Sequence, residues 1–218
     1  MTKINFGFSA FLKVLSLNEK PQRREIRSRL APSAGSGFDF HKSMRECARR
    51  YLVHGEPLAS VAASTAAITR LPERQSAAAA LERLGSWRER TSGEIVNIGT
   101  AIYESPRHLF RVRFEPVFGL RAHGRVTAYT IWNNKSPLLA VAPSYAALSL
   151  AAEAYHIQGD DAIEVGFLSL REPVRCYSLS DAPARSALSA SIVSHVEELI
   201  LEERPTAVPH VEDRPTPL

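Results

Sequence analysis

Residues 109–135 of the chain read LFRVRFEPVFGLRAHGRVTAYTIWNNK. Apolar and polar side chains alternate, partly in residues 109–114 and more regularly in residues 125–132, and this period of two residues is typical of β-strands. Pro116 breaks or edges the first strand, so we expect residues 117–120 to continue it after a bulge. The stretch therefore predicts two strands that pair with one buried face.

The rest of the second half of the chain alternates helices with another strand. His123-Gly124 makes a hairpin turn between the first two strands. A helix is predicted from residue 143 or 144 to about residue 156, a strand over residues 163–170, and a last helix from about residue 181 to residue 203. The order strand, strand, helix, strand, helix predicts a mixed sheet flanked by helices.

The first half of the chain is predicted to be mainly helical. Asp39 is a good N-cap for a helix to about Val53, and Pro72 suits the first turn of a helix that ends near Arg90. The sequence therefore predicts an α+β fold with three segments. They are a basic, mainly helical region (residues 1–92), a mixed α/β sheet domain (residues 93–203) and a disordered, proline-rich tail (residues 204–218).

The net charge of +4 over 218 residues is unevenly distributed. Residues 1–95 carry 16 Lys and Arg against 9 Asp and Glu, a net charge of +7, whereas residues 96–218 carry 11 against 14, a net charge of −3. This asymmetry indicates an anionic partner for the first half of the chain.

Guanidinium groups pair bidentately with phosphate oxygens. Seven arginines are the candidate nucleic-acid contacts: Arg23, Arg24, Arg27, Arg29, Arg45, Arg49 and Arg50. The alternative is a solvated face, or ion pairs with the acidic second half.

Several classes of site are absent from the sequence. Cys47 and Cys176 give no disulfide framework and suit a reducing, bacterial-type cytoplasm. No stretch approaches the roughly 20 apolar residues that cross a bilayer, so we expect no membrane partner. A phosphate-binding Gly-Lys loop, a Gly-x-Ser-x-Gly elbow and a His-Glu-x-x-His zinc helix are all missing. We expect no bound metal and no cofactor.

Paired carboxylates and one lysine are the remaining candidates for chemistry. Lys135 is the only lysine after residue 42, and it follows the second strand directly in the sequence Trp132-Asn133-Asn134-Lys135. The carboxylates that could join it are Glu104, Glu115, Asp161 and Glu164. Their convergence depends on the fold and does not follow from their spacing.

The order strand, strand, helix, strand over residues 107–179 resembles the core of the PD-(D/E)XK, restriction-endonuclease-like superfamily. In that family an aspartate precedes an acidic-x-Lys motif on the next strand, and the carboxylates bind magnesium that activates water. Here the motif position reads Asn133-Asn134-Lys135, in which only Lys135 matches, and no aspartate occurs in residues 107–134. The resemblance implies a nuclease-like fold that lacks its magnesium ligands.

Three functional hypotheses follow from the sequence. The leading one is a non-catalytic protein that associates with a DNA or RNA backbone, or forms a complex with a protein partner, through the arginine patch. The second is a divergent magnesium-dependent nuclease that uses Glu104, Glu115 and Lys135, together with Asp161 or Glu164. The third is a protein–protein adaptor whose helical half docks to an acidic partner without nucleic acid.

Overall fold

The computed structural model describes residues 3–31, 39–181 and 186–204, and within them the fold is α+β. The helices are α1 (Phe8–Leu15), α2 (Glu19–Leu30), α3 (Lys42–Leu52), α4 (Leu58–Ser64), α5 (Leu71–Glu89), α6 (Val141–Ile157) and α7 (Ser186–Glu202). The strands are β1 (Ile4–Gly7), β2 (Glu94–Val96), β3 (Ala101–Glu104), β4 (Phe110–Phe114), β5 (Phe118–Ala122), β6 (Arg125–Trp132), β7 (Ile163–Ser169) and β8 (Arg175–Ser178). Among the described helices, none is both long and apolar enough to span a membrane. The predicted tail, from residue 205 onward, lies outside the described residues.

The strands form two sheets. The smaller has the order β1-β4-β3, and the larger has the order β2-β5-β6-β7-β8. The pairs β1–β4 and β6–β7 are parallel, and the other pairs are antiparallel. Parallel neighbours need a crossover connection, which α6 supplies between β6 and β7.

The chain passes from the small sheet to the large one at Pro116. The expectation that residues 117–120 continue the first strand after a bulge is therefore wrong. Proline has no N–H with which to extend the β4 ladder. The next N–H, of Val117, donates to the carbonyl of Tyr129 at 2.8 Å and so already belongs to the large sheet.

The predicted hairpin turn between β5 and β6 is confirmed. Ala122 pairs with Arg125, which leaves the two-residue loop His123-Gly124 with φ of 50° and 74°. Two consecutive positive φ angles match the twist of the flanking strands, and glycine adopts this conformation without strain.

Two clusters of buried side chains lie on opposite faces of the large sheet, because successive strand residues point to opposite sides. The first cluster joins this sheet to α6, α7 and the small sheet through Ala128, Trp132, Val165 and Phe167. The second joins it to α3, α4 and α5 through Tyr129, Ile131, Leu168 and Leu170. The central strands β6 and β7 thus contribute to both clusters.

The N-terminal residues pack with the second half of the chain. Phe6 of β1 is buried with its ring centroid 6.0 Å from that of Phe110 in β4, and Ile26 of α2 is fully buried in the same cluster. The helices α3, α4 and α5 instead cover the other face of the large sheet. The basic region expected over residues 1–92 is therefore divided between the two clusters.

Candidate functional site

The C-terminal end of β6 is followed by Lys135, one of the catalytic candidates from the sequence, and three elements meet there. The last residue of β6, Trp132, pairs with Ser169 of the parallel strand β7, and its carbonyl accepts the N–H of Leu170 at 2.9 Å. In open α/β sheets, ligands bind outside the carboxyl ends of parallel strands. Asn133 is buried and Lys135 is exposed at this edge.

Side-chain hydrogen bonds fasten α3 and α5 to this edge. The amide Nδ2 of Asn133 donates to Ser76 Oγ of α5 at 3.1 Å. In the first turns of the two helices, Ser43 Oγ of α3 donates to Glu73 Oε1 of α5 at 2.6 Å. Glu73 is only 5% exposed, so the Ser43 hydroxyl supplies a hydrogen bond that the buried carboxylate needs. Both helices therefore begin close to the end of the strand.

His41 connects the start of α3 to the residue after Asn133. Its ring lies beside the side chain of Asn134, and its backbone N–H donates to Asp39 Oδ1 at 3.1 Å. Burial lowers the pKa of His41 below its ordinary value and outweighs the opposing effect of the Asn134 side chain, which favours the neutral ring. Nδ1 of His41 is buried without a hydrogen-bond partner in the part of the chain that the structure describes.

Two lysines flank this contact. Lys42 follows His41, and Lys135 follows Asn134, so each lysine is next in sequence to one of the two residues in contact. Both are exposed, and neither forms an ion pair with a described carboxylate. Arg45, one turn further along α3, is paired with Asp39. The positive ends of the α3 and α5 dipoles add to the field of the two ammonium groups.

The carboxylates proposed from the sequence do not gather around Lys135. Glu115 pairs with Arg49 at 3.6 Å and Arg113 at 3.4 Å. Glu104 pairs with Lys3, His108 and Arg111 in the small sheet. A hydrogen bond from Lys3, followed by those from His108 and Arg111, lowers the pKa of Glu104 to about 2.

Asp161 and Glu164 lie at the opposite end of the parallel pair. Glu164 pairs with Thr127, whereas Trp132 at the site end pairs with Ser169. Five residues of strand separate the two positions, which is about 17 Å. Asp161 contacts His156 before β7 begins. Within residues 3–31, 39–181 and 186–204, no three His, Cys, Asp or Glu side chains are placed so that they could hold a metal ion.

The arginines of α2 mainly contact carboxylates of the same chain. Arg23 pairs with Glu19, Glu202 and Glu203, and Arg27 pairs with Glu203, which ties α2 to the end of α7. Arg29 pairs with Glu25 and lies over the Phe6 ring at 5.1 Å. Arg24 is exposed and has no ion-pair partner among the described residues.

The arginines of α3 belong to a helix that packs in the second cluster. Arg45 pairs with Asp39, and Arg49 pairs with Glu115. Arg50 pairs with Glu56 and donates to Ser64 Oγ. The expected single patch is therefore two separate groups, since α2 packs in the first cluster and α3 in the second. Arg23, Arg27 and Arg49 make the ion pairs with the acidic second half that the sequence left open as the alternative.

Comparisons with known proteins add little to this picture. No family model and no curated protein matches the chain. Among solved structures, the protein in the crystal structure of SSO0001 is similar over 83% of each chain, with 12% sequence identity and a TM-score of 0.33. A likeness of that degree carries no argument about fold or function.

Proposed function

We propose that this protein binds nucleic acid without cleaving it and holds backbone phosphates at the C-terminal edge of β6 through Lys42 and Lys135. The supporting observation is that Lys42 and Lys135, the exposed neighbours in sequence of His41 and Asn134, pair with no described carboxylate. A phosphate can therefore approach them without breaking an existing ion pair, and the lost counterions favour binding.

The other side chains at this edge suit a phosphate better than a magnesium ion. Asn134 is a neutral amide, which can donate a hydrogen bond to a phosphate oxygen and does not repel it, whereas Asn133 is buried and its Nδ2 already donates to Ser76. Magnesium prefers carboxylates, and the buried carboxylate at this edge, Glu73, is hydrogen-bonded by Ser43. The first turns of α3 and α5 favour an anion as well.

The α2 surface is a second location for the same function. Lys20, Arg24 and Arg27 are exposed at i, i+4 and i+7, so they share one face of the helix. Lys20 and Arg24 form no ion pair within the described ranges, whereas Arg27 pairs with Glu203. The two locations carry the same number of unpaired cations and can be separated by matched variants.

The test is a binding titration against labelled duplex and single-stranded DNA and RNA from about 50 to about 200 mM salt. The variant Lys42→Gln with Lys135→Gln is compared with Lys20→Gln with Arg24→Gln, which loses the same charge elsewhere. We expect the first variant to reduce the slope of log affinity against log salt by about 1.4 to 1.8, and the second to leave it unchanged.

The outcomes separate the hypotheses. A loss of slope in the Lys20 and Arg24 variant alone would keep the function and move the site to α2. No binding by the native protein at the lowest salt would overturn the function and favour a protein–protein adaptor. Magnesium-dependent cleavage that disappears in Glu115→Ala and in Lys135→Ala would favour the nuclease alternative.

A further inference from the structure

The small sheet has one buried face, in the first cluster, and one outer face that is exposed to solvent. Residues at alternate positions of β4 point to opposite sides, and Phe110, Val112 and Phe114 are buried while Arg111 and Arg113 are exposed. The cross-strand neighbours on the outer face are Asn5 and Glu104 beside Arg111, and Gly7 and Ile102 beside Arg113. Ile102 is 48% exposed, and a Cβ placed on Gly7 would meet no atom within 4 Å. This face is therefore accessible at its centre.

Ion pairs connect this face to α3. Glu115 is shared by Arg113 of β4 at 3.4 Å and Arg49 of α3 at 3.6 Å. Arg49 also donates to the carbonyl of Pro116 at 3.2 Å, which fixes α3 at the crossing between the two sheets. Arg49 lies seven residues after Lys42, so the two share one face of α3 about 10 Å apart. A line of cations thus runs from the edge of β6 to the small sheet, and it consists of Lys135, Lys42, Arg49, Arg113 and Arg111.

Positive charge exceeds negative charge along this line. Six cations, Lys3, Lys42, Arg49, Arg111, Arg113 and Lys135, stand against four carboxylates, Glu46, Glu73, Glu104 and Glu115, which leaves a formal net charge of +2, and the paired Arg45 and Asp39 cancel. Glu104 and Glu115 are each shared by at least two cations. Since no carboxylate fully occupies a guanidinium, the arginines keep donors for a further anion.

We infer that a nucleic-acid duplex lies along this line, with its backbone running from Lys135 and Lys42 past Arg49 onto Arg113 and Arg111. This inference rests on the proposed function and extends it to a second surface. The exposed positions on the outer face are Asn5, Gly7, Ile102, Arg111 and Arg113, and the absence of an aromatic ring among them suits backbone contacts better than stacked single-stranded bases.

The test uses the variant Arg111→Gln with Arg113→Gln on a duplex of about 12 base pairs. Both carboxylates keep partners in this variant, since Glu104 retains Lys3 and Glu115 retains Arg49. We expect the salt slope to fall by about 1.8 relative to the native protein. The matched control is Arg121→Gln with Arg125→Gln, whose arginines are 54% and 68% exposed in the β5–β6 hairpin at the other end of β6.

The results distinguish this inference from the proposed function. An unchanged slope in the Arg111 and Arg113 variant, together with a reduced slope in the Lys42 and Lys135 variant, would overturn the extended surface and leave the edge site standing. Equal losses in the Arg111 and Arg113 variant and in the control would also overturn it, because binding would then follow net charge. Tighter binding of single strands than of duplex would overturn the choice of duplex, and no binding by the native protein would overturn the proposed function itself.

Discussion

Glu73 is a buried carboxylate whose hydrogen bond from Ser43 joins α3 to α5 at the candidate site. A buried carboxylate without a donor is costly, because it has lost water and gained nothing in return. We predict that Ser43→Ala lowers the free energy of unfolding by about 1 to 3 kcal/mol in urea titrations. The control is Ser28→Ala, an exposed serine that bonds only to the carbonyl of Glu25 in its own helix. Equal changes in the two variants would contradict the role given to Ser43.

Glu104 makes a pH-dependent contribution to stability. Its pKa is lowered from 4.5 to about 2, first by the hydrogen bond from Lys3 and then by those from His108 and Arg111. A lowered pKa in the folded state stabilises the protein above pH 4.5, and this contribution is lost as the pH falls toward 2. We predict that the difference in unfolding free energy between the native protein and Glu104→Gln is largest above pH 4.5 and shrinks toward pH 2. A difference that stays constant over this range in urea titrations would contradict it.

At the scale of elements, long periodic segments could be predicted from the sequence and short ones could not. The helix expected from Pro72 to Arg90 is α5 (Leu71–Glu89), and the strand expected over residues 163–170 is β7 (Ile163–Ser169). The strands β1, β2 and β3 have only four, three and four residues, which is too few to show alternation. β1 also pairs in parallel with β4, about a hundred residues away, so no local signal specifies it.

The candidate site was predictable in part for the same reason. Asn133, Asn134 and Lys135 follow a strand that the sequence shows, so their place at its end could be inferred. His41, Ser43 and Glu73 join them only because α3 and α5 pack on one face of β6, and no spacing in the sequence encodes that contact. The density of arginines in α2 was equally visible, but the pairing with Glu202 and Glu203 links residues that are far apart in the chain.

At the scale of the whole molecule, the first cluster depends on residues from both ends of the chain. Phe6, Phe8 and Phe11 are each at most 3% exposed, and Phe8 lies 4.8 Å from the Phe114 ring. Losing one buried phenylalanine costs about 3 to 5 kcal/mol, so losing all three approaches the 5 to 15 kcal/mol that a whole domain has. The loss of stability in the first cluster also affects the second, because alternate residues of β6 and β7 belong to the two clusters.

We therefore predict that the fragment 39–218, which lacks β1, α1 and α2, does not fold alone. It should show little near-ultraviolet circular dichroism and no cooperative urea transition, whereas the full chain should unfold in one transition. Adding the separate peptide 1–31 should restore part of the signal, since it supplies the missing aromatic side chains. A fragment as stable as the full chain would mean that the first cluster does not need the N-terminal residues that the structure places in it.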